Sequence, residues 1–251
     1  MLKNVPVRGQ QELEIARTVS SPELRRHPRN HCVPLLDTFG LPDTLDEKLI
    51  VMPFLRPFDE PRFQTYGEFV AFFTQICEVS PRFFRSEVHA DLTTLGPGSR
   101  IHAREKYCTS VCLNASFRNP CFLNEGVLLR DCTANNIMLD PSGMYPDGFH
   151  PVKINRSRDF KSKLPRFDRT QRPPRYYLID FGLSRQYSSR NALDDPLRGG
   201  DKSAPEHQSG RRCNPFQTDI YHLGNLVCER FIKVMVFESL FLRALIGHPE
   251  I

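Results

Sequence analysis

The spacing of hydrophobic and polar residues changes several times along the chain. In "QELEIARTV" the apolar positions Leu13, Ile15, Ala16 and Val19 follow a helical period, which predicts a short helix. "SSPELRRHPRNH" is polar and broken by prolines, so it is expected to be a connection. "CVPLLDTFG" and "KLIVMPFL" are compact apolar runs that predict two short buried strands, separated by the turn-rich "LPDTLDE". The helical period returns in "YGEFVAFFTQICEV", with Phe69, Phe72, Phe73 and Ile76 on one face, and stops at Ser80-Pro81. From about 80 to 121 neither period is sustained, over a length well beyond the usual loop limit of about 12–15 residues. Two further strand-like runs follow, in "VLLRDCTANNIMLD" and "YYLIDFGLS", each with an acid or amide beside it. Between them lies an irregular stretch rich in proline and basic residues, about 141–175. "TDIYHLGNLVCERFIKVMVFESLFLRALI" predicts a strongly apolar helix near the end, and no internal repeat is visible.

Bulk properties narrow the class without naming a function. A chain of 251 residues fits one large domain or two small ones, and 39% hydrophobic with 25% charged residues is ordinary for a folded protein with a core. The formal net charge of +5 does not by itself imply nucleic acid. No apolar run reaches the roughly 18 residues of a membrane span, and "MLKNVPVRGQ" lacks the apolar centre of a secretory signal. The expected location is therefore intracellular, in the cytoplasm, with the nucleus also open. Eight cysteines in that setting read as reduced thiols. Cys108, Cys112 and Cys121 with His102 fit no zinc-finger spacing, so plain thiols are expected there too. Residues 153–175 carry many basic side chains against only Asp159 and Asp168. With few interleaved aromatics, they are expected to form a solvated mobile insertion rather than a nucleic-acid patch.

The order of four short motifs is more specific. "LRD" at Leu129–Asp131 with Asn136, "DFG" at Asp180–Gly182, "APE" at Ala204–Glu206 and "DIYHLG" at Asp219–Gly224 follow one another along the chain. In that order the chain resembles a eukaryotic-type protein kinase, of the divergent kind found in fungi. The resemblance implies an α+β, two-lobe fold. Residues 1–55 would be a partial N-lobe with an incomplete sheet and the hinge, and residues 56–251 a partial, mainly helical C-lobe. It also implies ATP and Mg²⁺ as cofactors, and transfer of phosphate to a protein hydroxyl, serine or threonine ahead of tyrosine. Which protein is the substrate, and whether the chain oligomerises, do not follow.

The chemistry explains why such residues would be needed. Phosphoryl transfer depends on positioning and on neutralising charge. By resemblance Asp131 would accept the hydroxyl proton, and Asn136 and Asp180 would offer the hard oxygens that Mg²⁺ prefers. Gly182 would spare the metal site a Cβ. Asp219 would anchor the loop around Asp131, although a helix N-cap is the plain reading of that residue. "MLK" is similar to the end of the family's lysine strand, so Lys3 would clamp the phosphates. Glu14 would be its helix partner, with Glu12 as the alternative. Met52 would be the gatekeeper before the hinge, where Pro53 would offer a carbonyl and Leu55 an N–H to the adenine.

Several features depart from the family's pattern. No G-x-G-x-x-G occurs, Leu129 replaces the histidine of H-R-D, and Thr133 replaces a lysine common in serine/threonine kinases. The segment "RGGDKSAPE" lacks the usual threonine or tyrosine, and no arginine partner for Glu206 is expected. These departures leave a phosphotransferase, a catalytically inactive scaffold and a truncated gene-model fragment as open readings. "FTQICEV" and "FLNEGV" look like two ends of one helix, with 80–121 between them as an insertion or a retained intron. Ser188 and Ser189 read as exposed loop serines in the presumed activation segment.

Overall fold

The computed structural model describes residues 1–6, 9–42, 44–77, 127–128, 130–189, 191–196 and 201–232. The irregular 80–121 stretch, Leu129, Cys108, Cys112, Cys121 and His102 lie outside the described residues, as do residues 233–251, on which the end of the expected apolar helix falls. The described chain is a mixed α and β structure built on small antiparallel sheets. Among the described residues no helix is long and apolar enough to cross a membrane.

Three strands form the first sheet, in the order β1 (Leu2–Val5), β3 (Thr44–Val51), β2 (Asp37–Leu41). Lys3 and Thr38 both lie opposite Ile50, so alternate residues of the three strands share one face. Val5 and Ile50 join the core with Leu13, Ile15, Ala16 and Val19 of helix α1 (Gln10–Val19). The predicted helix is thus present, and its apolar stripe is what buries it.

Two local readings need correction. The polar "SSPELRR" is not a plain connection: α2 (Pro22–Arg26) forms there. The Ser21 side chain accepts the Leu24 N–H, and Pro22 sits in the first turn, where its missing N–H costs no hydrogen bond. The first apolar run also does not make one buried strand. Its start pairs elsewhere, with Cys32 bridging Leu178 in parallel and Val33 N–H donating to the Leu178 carbonyl at 2.9 Å. Strand β2 begins only at Asp37 and is an edge strand, which leaves Phe39 51% exposed. Strand β3 meanwhile absorbs most of the turn expected before it.

Residues 52–55 carry the chain from β3 to β4 (Arg56–Pro57), which opens a second sheet with β6 (Ile137–Leu139) and β7 (Tyr176–Leu178). Strand β5 (Val127–Leu128) pairs with β8 (Arg185–Gln186). Helix α3 (Tyr66–Cys77) forms where the period predicts it. Its Phe72 is fully buried among Phe58, Phe63 and Tyr176. Helix α4 (Pro205–Ser209) begins within "APE", with Ala204 as its N-cap, and α5 (Pro215–Val227) starts at an Asn214 cap that accepts the Phe216 N–H. A wider turn, Cys228–Ile232, then brings Phe231 onto Phe63 and Phe69. One hydrophobic core runs from Val5 to Phe231.

Most Lys and Arg side chains of 153–175 are exposed, in keeping with the expected solvation, but the segment is anchored to this body through the buried Arg169 and beside a small core. Met144, Tyr145 and Phe149 make a small core with Ile154 and Leu164. Arg56 is buried with its guanidinium 4.6 Å from both the Tyr145 and Phe149 ring centroids, and it donates to the Ile154 carbonyl. Arg169 is likewise buried and donates to the Tyr176 hydroxyl and the Phe58 and Pro61 carbonyls. Part of the apparent charge run is internal structure, which composition cannot reveal. The thiol expectation holds for Cys32, Cys132 and Cys213, whereas Cys228 is disulfide-bonded.

Candidate functional site

The site draws on segments far apart in sequence. Lys3 Nζ on β1 lies 2.5 Å from Glu12 Oε1 and 2.8 Å from Asp180 Oδ1. Glu12, not Glu14, is therefore the helix partner of Lys3. Glu12 shares the buried face of α1 with Ala16 and Val19, one and two turns on, whereas Glu14 is two residues round the helix and exposed. Burial alone would lower the Lys3 pKa, but hydrogen bonds and charges from Asp180 and Glu12 outweigh it and raise it. Burial would raise that of Asp180, yet Lys3 and the Gly182 N–H hold it below the ordinary carboxylate value.

Asp131 and Asn136 occupy the neighbouring loop. Asn136 Nδ2 donates to both the Asp131 carbonyl and its Oδ2, each at 2.9 Å. That turns the amide nitrogen inward and leaves its oxygen as the outward electron-pair donor. The Ile179 N–H donates to the Asn136 carbonyl at 2.9 Å, so the β6–β7 pairing sets Asn136 beside Asp180. Asp131 and Asp180 both adopt left-handed backbone, at φ 72° and 63°. Aspartate tolerates that region better than most residues, at a modest cost that surrounding bonds must offset.

Those bonds are present. Asp219 on α5 accepts the Asp131 N–H at 3.0 Å through Oδ1, so it anchors the loop instead of capping its own helix. Arg130, 5% exposed, donates to Asp194 Oδ2 at 2.9 Å and to the Asp195 carbonyl. Arg185 and the Tyr187 hydroxyl converge on the same Asp194 oxygen. Glu206 accepts a hydrogen bond from the Thr218 hydroxyl on α5.

Asp131 Oδ1 is buried without a hydrogen-bond partner, and burial raises the carboxyl pKa despite the Asn136 bond. An unpaired buried acceptor of this kind carries a desolvation cost that favours the protonated carboxyl. Asn136 and Asp180 supply one amide and one carboxylate oxygen, a donor set that fits Mg²⁺ better than a soft metal. Among the described residues no group of three histidine, cysteine or acidic side chains gathers as a complete protein-only metal cage. A magnesium that keeps waters and phosphate oxygens needs no such cage. At Gly182 an added Cβ would stand 3.2 Å from Asp180 Oδ1 and 3.3 Å from Glu12 Oε2.

The residues expected at a hinge lie where the chain passes between sheets. Met52 and Leu55 are each 5% exposed, and Pro53 is half-buried. The Met52 N–H donates to the Met1 carbonyl, and the terminal ammonium donates to the Met52 carbonyl. The structure thus brings together Lys3, Asp131, Asn136 and Asp180, places Met52, Pro53 and Leu55 on the link, and turns Glu14 away. Sequence reasoning missed the roles of Asp194 and His222. Each has a partner in a distant segment, Arg130 for Asp194 and the Asp201 carbonyl for His222, which the sequence alone does not reveal. No protein-family model and no curated protein matches this chain.

Proposed function

We propose that this chain is a protein-kinase-like phosphotransferase, built on a two-lobe kinase fold, that uses ATP and Mg²⁺ to phosphorylate a protein hydroxyl. The observation that carries the reading is the convergence of Lys3, Glu12 and Asp180 beside the Asp131–Asn136 loop. Bound Mg²⁺ would supply charge neutralisation at the phosphates, held by the Asn136 amide oxygen and the Asp180 carboxylate. Lys3 adds a cation that Glu12 and Asp180 keep in place. The Asp131 carboxylate takes the proton of the substrate hydroxyl. The hydroxyl oxygen forms a bond to the γ-phosphorus while the bond from that phosphorus to the β–γ bridging oxygen breaks, and ADP leaves.

A binding-only scaffold is the second reading. It is favoured by Leu129 and Thr133, which stand where the family's catalytic loop carries a histidine and a lysine. Transfer of labelled γ-phosphate to a generic protein substrate, with Asp131→Asn as control, separates the two. Transfer lost in D131N supports the enzyme. Magnesium-dependent ATP binding without transfer supports the scaffold.

A further inference from the structure

His222 is 2% exposed, lies on α5 one turn after Asp219, and has no part in the chemistry above. Its Nε2 is 3.1 Å from the Asp201 carbonyl, an acceptor, so that nitrogen carries a proton. Its Nδ1 faces Asp219 Oδ1 at 3.8 Å, an ion-pair separation. That same Oδ1 accepts the Asp131 N–H. Asp219 Oδ2 has no hydrogen-bond partner and burial raises the Asp219 pKa; the Asp131 and Cys132 N–H groups favour the carboxylate only in part, so a cation beside it is needed to offset the rest. A neutral His222 would instead aim a lone pair at the carboxylate.

We propose that His222 is a positioning residue: as an imidazolium it keeps Asp219 a carboxylate, and so ties the Asp131 backbone to the segment 201–203. The inference rests on the reading of Asp131 as proton acceptor. The other end of the tie is equally specific. Asn225 donates to Asp201 Oδ2 at 2.8 Å, and the Tyr221 hydroxyl donates to the Ser203 carbonyl. Helix α5 therefore grips the approach to α4 and the Asp131 loop with one face. The charged and titratable groups around His222 are Asp219 on its own helix, Asp201 ahead of α4, His207 on α4 with its ring parallel at 6.3 Å, Tyr221, and Asp131. Burial lowers the His222 pKa, but Asp219 and Asp201 outweigh it, so the charged form persists above the ordinary 6.5.

The test is hydrogen exchange at the Asp131 amide in the full chain, expressed as protection, across pH 6 to 9, beside transfer rates. In the native chain protection is expected to fall as pH rises through the His222 titration. His222→Gln keeps a donor for the Asp201 carbonyl but never carries charge. Its Asp131 protection is expected to be about tenfold lower and independent of pH, with kcat reduced in parallel and KM for ATP unchanged. Protection that is pH-independent in the native chain, or identical in H222Q, overturns the proposal. The native titration decides the matter even if H222Q does not fold. Protection that follows His222 while no transfer occurs supports the tie and counts against the phosphotransferase reading instead.

Discussion

Lys3 and Asp180 meet at 2.8 Å across 177 residues of sequence. The contact joins the first sheet to the end of β7 and determines the charge balance of the site. Glu12 completes it, with a side chain only 8% exposed.

Replacing Lys3 with methionine leaves Glu12 and Asp180 facing each other without their cation. We expect a stability loss of about 1–2 kcal/mol, since the lysine is partly screened. Nucleotide-dependent activity should fall by about a hundredfold or more, because a charge at the phosphates is lost. Urea midpoints and transfer rates of K3M check both figures.

Glu12→Gln and Glu14→Gln should behave differently. The first removes the buried partner of Lys3 and is expected to weaken ATP affinity by about tenfold. The second changes an exposed side chain and should alter stability by no more than about 0.5 kcal/mol. Equal effects in a binding titration would contradict the Lys3–Glu12 pairing.

The same ion pair fixes two pH limits. The Asp180 pKa is depressed, so its contribution is present above the unfolded value of 3.8 and is lost as pH falls through the lower folded value. The Lys3 pKa is raised, so its contribution is present below 10.5 and is lost as pH rises through the higher folded value. The drop in denaturation midpoint below about pH 4 should be shallower in Asp180→Asn than in the native chain. An unchanged acid limb would show that the pair adds nothing to stability.

Asp194→Ala should be among the most damaging single changes. It strips the buried Arg130 of its carboxylate and removes the acceptor shared by Arg185 and Tyr187. Breaking a buried ion pair by removing one partner costs about 3 kcal/mol or more. A melting temperature within a degree of the native chain would remove Asp194 as an anchor.

Much of the fold was legible because it depends on local periodicity. Helices α1 and α3 bury the stripes that their spacing displays, with Phe72 and Phe73 facing the core. What could not be read depends on pairing. "CVPLL" has the composition of a buried strand, yet its residues join β7 because Leu178 offers them backbone partners. Arg56 and Arg169 look solvated in sequence, but aromatic rings and carbonyl groups take them inside. In the site, Asp131, Asn136 and Asp180 could be named from their motifs. Choosing Glu12 over Glu14 required the helix to be set against β1, and a two-residue shift on a helix reverses its direction.

The most direct measurement is a thermal melt of the full chain with and without ATP and Mg²⁺, beside Asp180→Ala. The expected result is a cooperative transition raised only when ATP and Mg²⁺ are both present, with the shift abolished in D180A. A cooperative melt that neither ligand moves, in either protein, would contradict the assignment of Lys3, Asn136 and Asp180 to a nucleotide–metal site.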